Sequence, residues 1–370
     1  MTVKGRNAGS GRGRQQAGAG GPNGQRGAQE RKRAAAARGR AKRDQRRAVA
    51  AARREAARRR ARRRWLLAGV VVVVVAGLAA AGIIYLTRPP SITVSGAFGS
   101  GKPAVTIPRV SPPGSLQTRE LISGHGARLA KGELAVADLT AYTWDGTTTK
   151  KVSALSAGQP QPLTVGSTIT GLDKSLEGSH VGSRLLITIP PRDGFGTKGD
   201  SSLGITGKDT LVLVVDVLGS YQKTAAAHGT PRAPAATGLP AISTAAPGTA
   251  PTVTIPKTSP PATLQSQTLI QGTGPAVKKG KLLIAQYEGV IWRTGKVFSS
   301  SWQSGQPAGF QIGTGQVIKG WDDTLVGKRA GSQILLVVPP ADGYGTAGSS
   351  QAGIKGTDTL VFVIDILATY

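Results

Sequence analysis

The residues best suited to chemistry lie between positions 313 and 345, and they are aromatic and aliphatic rather than acidic or nucleophilic. The β-branched pair Val317 and Ile318 comes just before Trp321, and Tyr344 follows later in a glycine-rich loop. The residues in between predict a strand, one short helix that bears Trp321, a second strand and a loop. Apolar side chains presented by four such elements predict a cup that binds an apolar ligand group.

Other kinds of chemistry find little support in the sequence. The chain has no cysteine, which excludes disulfides, zinc-thiolate sites and a cysteine nucleophile. The three histidines, His125, His180 and His228, are scattered, so no metal site is expected. The loop at 343–345 lacks the Lys-Ser/Thr pair of a phosphate loop, and the serines at 299–301 have no base partner. We expect neither a metal nor a cofactor.

The chain contains two similar copies of one sequence, offset by 148 or 149 positions. Each copy has the length of an ordinary domain, far longer than a solenoid repeat. We therefore predict one domain over 104–221 and another over 252–370, joined by an Ala/Pro-rich, flexible to semi-extended linker over 222–251. The stretches that match most closely are 106–126 with 254–274, 185–199 with 335–348, and 209–218 with 358–367.

Both copies are predicted to be α+β. In the second copy, apolar residues largely alternate from Leu282 to Trp292, and further β-rich runs follow. Only residues 319–326 favour a helix, with Asp322 and Asp323 near its start, where carboxylates complement the helix dipole. Many short strands joined by glycine turns, with a single helix, predict an antiparallel sheet curled over that helix.

The strong positive charge of the chain is concentrated in its first 64 residues. Residues 1–64 hold 22 Lys and Arg against three acidic residues, a balance of +19 out of +28 for the whole chain. Without aromatic and large apolar residues to bury, this tail is predicted to be disordered. Its arginines are expected to lie near anionic lipid headgroups. Tethering of nucleic acid is the alternative, although no aromatic residue is interleaved for base stacking.

An apolar segment separates the tail from the two copies. Residues 65–86 contain no charge and, at ~1.5 Å per residue, span about 33 Å as a helix, which matches a hydrocarbon core of ~30 Å. Trp65 and Tyr85 lie at its two ends, as interfacial aromatic residues do. We predict a transmembrane helix here, followed by a Pro/Gly/Ser-rich spacer over 87–103.

The charges that flank this segment predict its orientation. Three arginines, 62–64, precede it and Arg88 follows it. The positive-inside rule then places the N-terminus in the cytoplasm and residues 89–370 outside a cell membrane that the chain crosses once. The alternative is a cleaved signal peptide, indicated by the small residues at 79–81, but the apolar stretch is long for that and the leader is extended.

Five stretches of the second copy occur in the order and approximate spacing typical of one enzyme family. They are YEG at 287–289, GKVFSSS at 295–301, QVIKGW at 316–321, PPADGYG at 339–345 and LVF at 360–362. With these motifs, residues 270–370 resemble an FKBP-type peptidyl-prolyl cis-trans isomerase domain. The first copy resembles the same domain with three of these aromatic residues lost: Leu139, Leu172 and Leu213 occupy the positions of Tyr287, Trp321 and Phe362, while Phe195 occupies that of Tyr344.

The resemblance implies a catalytic pocket made of side chains that cannot transfer protons efficiently. Ile354, Ser299 and Trp302 are expected to contact the substrate at its edge. In the family, the hydroxyl equivalent to that of Tyr344 and the backbone N–H equivalent to that of Ile318 bind ligand carbonyls. The residues expected to be catalytic are Trp321 as the floor and Tyr287, Phe298, Val317, Ile318, Tyr344 and Phe362 as the walls.

The second copy departs from the family at two positions that bear on rate. Ser299 stands where the family usually has an aspartate, and the usual aromatic of the following strand falls at Ala308. Trp321 and Tyr344 could also be ordinary core aromatics. That alternative is weakened because the first copy keeps the structural skeleton without them.

We therefore predict an isomerase that acts on X–Pro bonds of unfolded or exported proteins and assists their folding outside the membrane. The second domain is expected to be active and the first inactive. A peptide-binding or chaperone module without catalysis is the alternative, motivated by Ser299 and Ala308.

Overall fold

The computed structural model of the protein describes residues 91–370 except 157, 234–235, 244–245 and 247. The predicted basic tail, residues 1–64, and the predicted transmembrane segment, residues 65–86, lie outside the described residues. Within the described part of the chain, no helix combines the length and apolar character needed to cross a membrane.

The first copy consists of a small hairpin, an antiparallel sheet and one short helix. Central strands rich in Val, Leu and Ile alternate their side chains between two faces, and both faces are buried. Its elements are β1 (Thr93–Ser95), β2 (Ala104–Thr106), β3 (Gln117–Ile122), β4 (Leu134–Trp144), β5 (Thr149–Lys151), β6 (Gln161–Thr164), α1 (Thr170–Leu176), β7 (Arg184–Ile189) and β8 (Thr210–Tyr221).

The second copy repeats this arrangement, with one α-helical turn at Ser301–Ser304 where the first copy has a 3-10 turn at Ser153–Leu155. Its elements, with those of the preceding stretch, are β9 (Thr230–Pro231), β10 (Ala241–Ser243), β11 (Thr252–Thr254), β12 (Gln265–Gln271), β13 (Leu282–Ile291), β14 (Val297–Ser300), α2 (Ser301–Ser304), β15 (Ala308–Gln311), α3 (Lys319–Leu325), β16 (Gln333–Val338) and β17 (Leu360–Thr369).

The two sheets share one topology. In the first copy the strand order is β3-β7-β8-β4-β5, with β6 also paired to β4. In the second it is β9-β12-β16-β17-β13-β14, with β15 also paired to β13. All these pairs are antiparallel. The prediction of two domains with antiparallel sheets and few helices is confirmed.

The inner face of the second sheet holds the helix that carries Trp321. Leu325 and Trp321 of α3 pack with Ile334 and Leu336 of β16 in one buried cluster. Gly320 permits this close approach, because a Cβ added there would stand 2.8 Å from Val338 Cγ1. A glycine inside a helix costs ~1 kcal/mol relative to alanine, so its presence here has a packing reason.

The outer face of each sheet is covered by the segment that precedes it. Hairpin β1–β2 and its flanks place Ile92, Val94 and Val105 on the first sheet, beside Val212 and Val214. Hairpin β10–β11 does the same on the second sheet with Ile242 and Val253. The predicted spacer and linker thus hold residues that fold against the sheets. A few alternating apolar side chains suffice to hold a hairpin on a sheet. The Pro, Gly and Ala residues around them conceal this alternation in the sequence.

Candidate functional site

Trp321 lies at the centre of an aromatic cluster on the inner face of the second sheet. Three rings meet it edge to face: Phe310 with centroids 5.0 Å apart, Phe362 at 5.4 Å and Tyr287 at 5.6 Å. Phe298 packs against Phe362 in the same manner at 5.7 Å. Such pairs each contribute ~0.5–1.5 kcal/mol beyond the burial of their area. The cluster is therefore a well-defined floor rather than a loose apolar patch.

An open cavity of about 770 Å³ stands over this cluster; we call it the aromatic cavity. A volume of this size suits a short peptide segment. It contains all seven residues predicted to be catalytic, together with Ser299. The lining residues are Tyr287, Phe298, Ser299, Phe310, Gln316, Val317, Ile318, Lys319, Trp321, Gly343, Tyr344, Ser349, Gln351, Ala352 and Phe362.

The backbone around the aromatic cavity is shaped to admit these rings. A Cβ at Gly289 would stand 2.8 Å from Phe298 Cζ and 3.1 Å from Phe362 Cε1, so glycine leaves room for both side chains. Asp322 accepts hydrogen bonds from the backbone N–H of Gly313, at 2.6 Å, and of Gly315, at 2.7 Å. The carboxylate thereby fixes the loop that leads to Val317 and Ile318, and this explains its position near the helix start.

The aromatic cavity also has polar groups in its lining: the hydroxyls of Tyr287 and Tyr344 and the side chains of Ser299, Gln316, Lys319, Ser349 and Gln351. The hydroxyls of Tyr287 and Ser299 are hydrogen-bonded at 2.8 Å. Lys319 donates to Asp323 at 2.6 Å and to Asp342 at 2.8 Å, and these bonds raise its pKa above the usual value. Tyr344 remains 41% exposed. Ile318 directly precedes α3, where a backbone N–H has no intrahelical acceptor.

Three placements differ from what the sequence suggested. Phe310, which the prediction omitted, supplies the second aromatic of strand β15, two positions after Ala308 and on the same face. Ile354 is buried in the core at 4% exposure and does not line the aromatic cavity. Trp302 lies in α2, after the chain leaves β14, and is likewise outside the lining. The substrate contacts predicted for Ile354 and Trp302 are therefore not supported by this geometry.

The first copy has a packed core where the second has its aromatic cavity. Leu172 occupies the position of Trp321 at 5% exposure. Val152, Leu155 and Leu203 pack into the same cluster, with Phe195 at its edge. These side chains and Leu172 of α1 therefore belong to one hydrophobic cluster.

The second domain is thus an α+β ligand-binding domain whose aromatic cavity contains no carboxylate, thiol or imidazole among its lining residues. The family profile described as FKBP-type peptidyl-prolyl cis-trans isomerase matches residues 126–218 and 274–367. The chain belongs to this family and contains its domain twice.

Individual relatives agree with the family match. An "FK506-binding protein" of Streptomyces anulatus is 38% identical over 118 residues, which are 32% of this chain and 95% of that protein. A "Probable FK506-binding protein" of Corynebacterium glutamicum is 33% identical over 118 residues, 32% of this chain and 97% of that protein. "Peptidyl-prolyl cis-trans isomerase FKBP14" of Mus musculus is 41% identical over 92 residues, 24% of this chain and only 43% of that protein.

Proposed function

We propose that the second domain catalyses cis-trans isomerisation of X–Pro bonds in peptide segments that enter the aromatic cavity. The observation that carries this proposal is the convergence of Tyr287, Phe310 and Phe362 on the ring of Trp321 beneath an open cavity. Membership of the isomerase family also supports this proposal. The Ser299 hydroxyl, which replaces the usual aspartate, leaves the cavity lining without a carboxylate.

The reaction needs no acid, base or nucleophile, which suits this lining. Rotation about the X–Pro bond interrupts amide resonance across a barrier of ~18–20 kcal/mol. The planar amide is the more charge-separated state, so an apolar, water-poor site disfavours it relative to the twisted state. The Tyr344 hydroxyl and the Ile318 N–H are the donors we assign to the substrate carbonyls. Each ~1.4 kcal/mol of preference for the twisted state raises the rate tenfold.

The test follows isomerisation of a short Xaa-Pro peptide by the full-length chain in detergent. Trp321→Leu introduces the residue that the first copy has at this position, and we expect it to reduce the rate by at least about 100-fold, since the floor of the cavity is lost. Tyr344→Leu should lower the rate about tenfold. Phe195→Leu in the first copy is the matched control and should leave the rate unchanged. A wild-type chain with only the background rate contradicts the proposal.

A second candidate is a module that binds peptides without catalysis, and the replacement of the family's aspartate by Ser299 favours it. In that case proline peptides change the fluorescence of Trp321, while isomerisation remains at background. The first domain, with its filled core, is proposed to contribute no isomerase activity. Residual activity in the Trp321→Leu chain that disappears on Leu172→Ala substitution contradicts this part of the proposal.

We further propose that both domains lie outside a membrane in which residues 65–86 are anchored, and that the second domain acts there on exported proteins. The uncharged segment and the arginines before it support this topology. The test places one epitope at the N-terminus and another after residue 370. Protease added to intact cells should remove the second epitope and spare the first. Release of the chain from membranes by alkaline carbonate indicates the alternative, a cleaved leader.

A further inference from the structure

The two domains share a buried apolar interface made of equivalent residues. Leu134 and Leu282 occupy the same position in the two copies, as do Val136 and Ile284. The cluster continues through the ends of the last strands, where the hydroxyls of Tyr221 and Tyr370 are 2.5 Å apart. Its members are Leu134, Val136, Leu282, Ile284 and Leu367, with Leu218, Tyr221, Ala225, Ala368 and Tyr370 partly buried against them.

This use of one surface by both copies resembles the isologous interface of a two-fold symmetric dimer, here formed within one chain. At its side, the equivalent edge strands β6 and β15 approach each other in antiparallel directions. Thr164 Oγ1 donates to Gln306 Oε1 at 2.7 Å, and Gln311 Nε2 donates to Gln159 Oε1 at 2.8 Å.

Between these two contacts, Pro162 of the first domain lies directly on the backbone of Gly309. A Cβ added at Gly309 would stand 2.8 Å from Pro162 Cγ and 3.1 Å from Pro162 Cβ. The proline ring is rigid, so even one methyl group at this position requires the two strands to separate. The first domain therefore contacts the backbone of the second at the residue that precedes Phe310.

Strand β15 connects this contact to the aromatic cavity. Its Phe310 is 5.0 Å from the ring of Trp321 and 5.6 Å from that of Tyr287. On one side β15 pairs with β13 over Ala308–Gln311. Pro162 of β6 lies against the face of β15 on which a Cβ of Gly309 would stand. We propose that the first domain positions the active site of the second, because Pro162, Thr164 and Gln159 brace the strand that presents Phe310.

This inference rests on the proposed isomerase function, and it gives the inactive first domain a role in the reaction. A binding site must hold its groups within a fraction of an ångström, and edge strands are the parts of a sheet most free to shift. Pro162, Thr164 and Gln159 are positioning residues in this scheme. They lie in the first domain and act on the substrate only through Phe310.

The test introduces a steric clash between the domains of the full-length chain and then relieves it with a second substitution. Gly309→Ala should reduce kcat/KM about three- to tenfold and increase amide hydrogen exchange over residues 308–311. In a strand interior alanine is normally the better residue. The new methyl would also stand 3.2 Å from Leu282 Cδ1 of its own domain, so the part of the loss that comes from Pro162 is the part that the second substitution restores. Adding Pro162→Gly removes both ring atoms near the new methyl and should restore most of the activity and the protection.

Gly114→Ala is the matched control, since a Cβ there meets nothing within 4 Å, and it should change neither quantity. The inference is overturned if Gly309→Ala leaves kcat/KM and exchange unchanged. It is also overturned if Pro162→Gly fails to rescue, or if only the unfolding temperature falls. Should the wild-type chain have no isomerase activity, the proposed function fails, whereas hydrogen exchange over residues 308–311 still decides whether the first domain braces β15.

Discussion

Tyr287 and Ser299 form a hydrogen-bonded pair of hydroxyls in the wall of the aromatic cavity. Their hydroxyls are 2.8 Å apart, so the serine still holds the phenol although it lacks the charge of the family's aspartate. A hydrogen bond between neutral groups contributes ~0.5–1.5 kcal/mol net. At the scale of single residues, the departure at Ser299 therefore weakens a contact without abolishing it.

This pair can be tested by a double-mutant cycle. Tyr287→Phe and Ser299→Ala should each lower kcat/KM by about two- to tenfold, the equivalent of one neutral hydrogen bond. Because both substitutions remove the same bond, the kcat/KM of the double variant should be only a little lower than that of the less active single variant. Strict additivity of the two effects, measured with the same Xaa-Pro peptide, would show that the bond plays no part in catalysis.

Phe310 is the cavity residue that the sequence did not reveal, although a signal for it was present. The resemblance to the family puts the strand's usual aromatic at Ala308, in a region where the preceding long loop departs from the family. Residues two apart in a strand share a face, so Phe310 satisfies the same requirement. The residues named by motif, such as Trp321 and Tyr344, were predictable because their spacing within each motif is fixed. Where a loop departs from the family, as it does before Phe310, the spacing no longer tells which residue occupies a given site position.

Substitutions at Phe310 and Ala308 should therefore have different effects on kcat/KM. Phe310→Ala should lower kcat/KM by about tenfold or more, since the ring that packs on Trp321 and Tyr287 is lost. Ala308→Phe should not raise it, because an additional ring overfills a packed site. Peptide isomerisation and Trp321 fluorescence report on both variants. An intact rate in Phe310→Ala would place the substrate away from this strand.

At the scale of elements, equivalent buried polar groups fix the covering segments on the two sheets by different chemistry. In the first domain Arg184 and Asp216 form a bidentate ion pair at 2.6 and 2.7 Å. Arg184 also binds the carbonyls of Gly96 and Ala97, and Asp216 binds the N–H of Gly99. The second domain has Gln333 at the position of Arg184 and Asp365 at that of Asp216.

Asp365 is buried, and no cation among the described residues pairs with it. It accepts hydrogen bonds from the N–H of Ala227 at 2.9 Å and from Gln333 Nε2 at 2.8 Å, and it faces Gln286 across the strand pair. Burial is the main cause that raises its pKa, and the two donors oppose the shift. The folded state therefore binds the proton more tightly than the unfolded state. The contribution of Asp365 to the stability of the folded state is therefore present at low pH and is lost as the pH rises through the raised pKa.

These settings predict opposite outcomes for the same substitution. Asp216→Asn should cost about 3–5 kcal/mol, because it leaves the buried Arg184 without its counter-charge. Asp365→Asn should be tolerated near pH 7, since the side-chain amide of Gln333 can reverse and accept from the new amide. It should also remove the part of the pH dependence that Asp365 supplies. Chemical denaturation of both variants between pH 4 and pH 8 checks this, and equal costs for both would refute it.

Covering segments of this kind show where sequence reasoning reaches its limit. The strands and the helix α3 were predictable, because their apolar periodicity is strong and continuous. Hairpins β1–β2 and β10–β11 were not, because each contributes only isolated apolar residues within stretches of Pro, Gly and Ala. Those residues are ordered by the sheet beneath them. Tertiary packing, rather than local propensity, decides such elements.

At the scale of the whole molecule, the interface between the domains should make them unfold together. The apolar cluster and the phenol pair Tyr221–Tyr370 join the ends of both sheets. Burial is the main cause that raises the pKa of each phenol, as expected for hydroxyls enclosed by such an interface. Separation of the domains would expose this apolar surface to water, at a free-energy cost of ~25 cal/mol per Å². The two domains therefore stabilise each other.

Gly219 offers a way to break this coupling from within the chain. A Cβ at Gly219 would collide with the hydroxyl of Tyr370, so Gly219→Ala must displace that tyrosine from its partner. We expect the wild-type domains to unfold in one calorimetric transition, with calorimetric and van't Hoff enthalpies that agree. Gly219→Ala should split this transition into two or broaden it. Addition of Tyr370→Phe removes the colliding atom and should bring the transitions back together, whereas two separate transitions in the wild-type chain would show that the interface does not couple the domains.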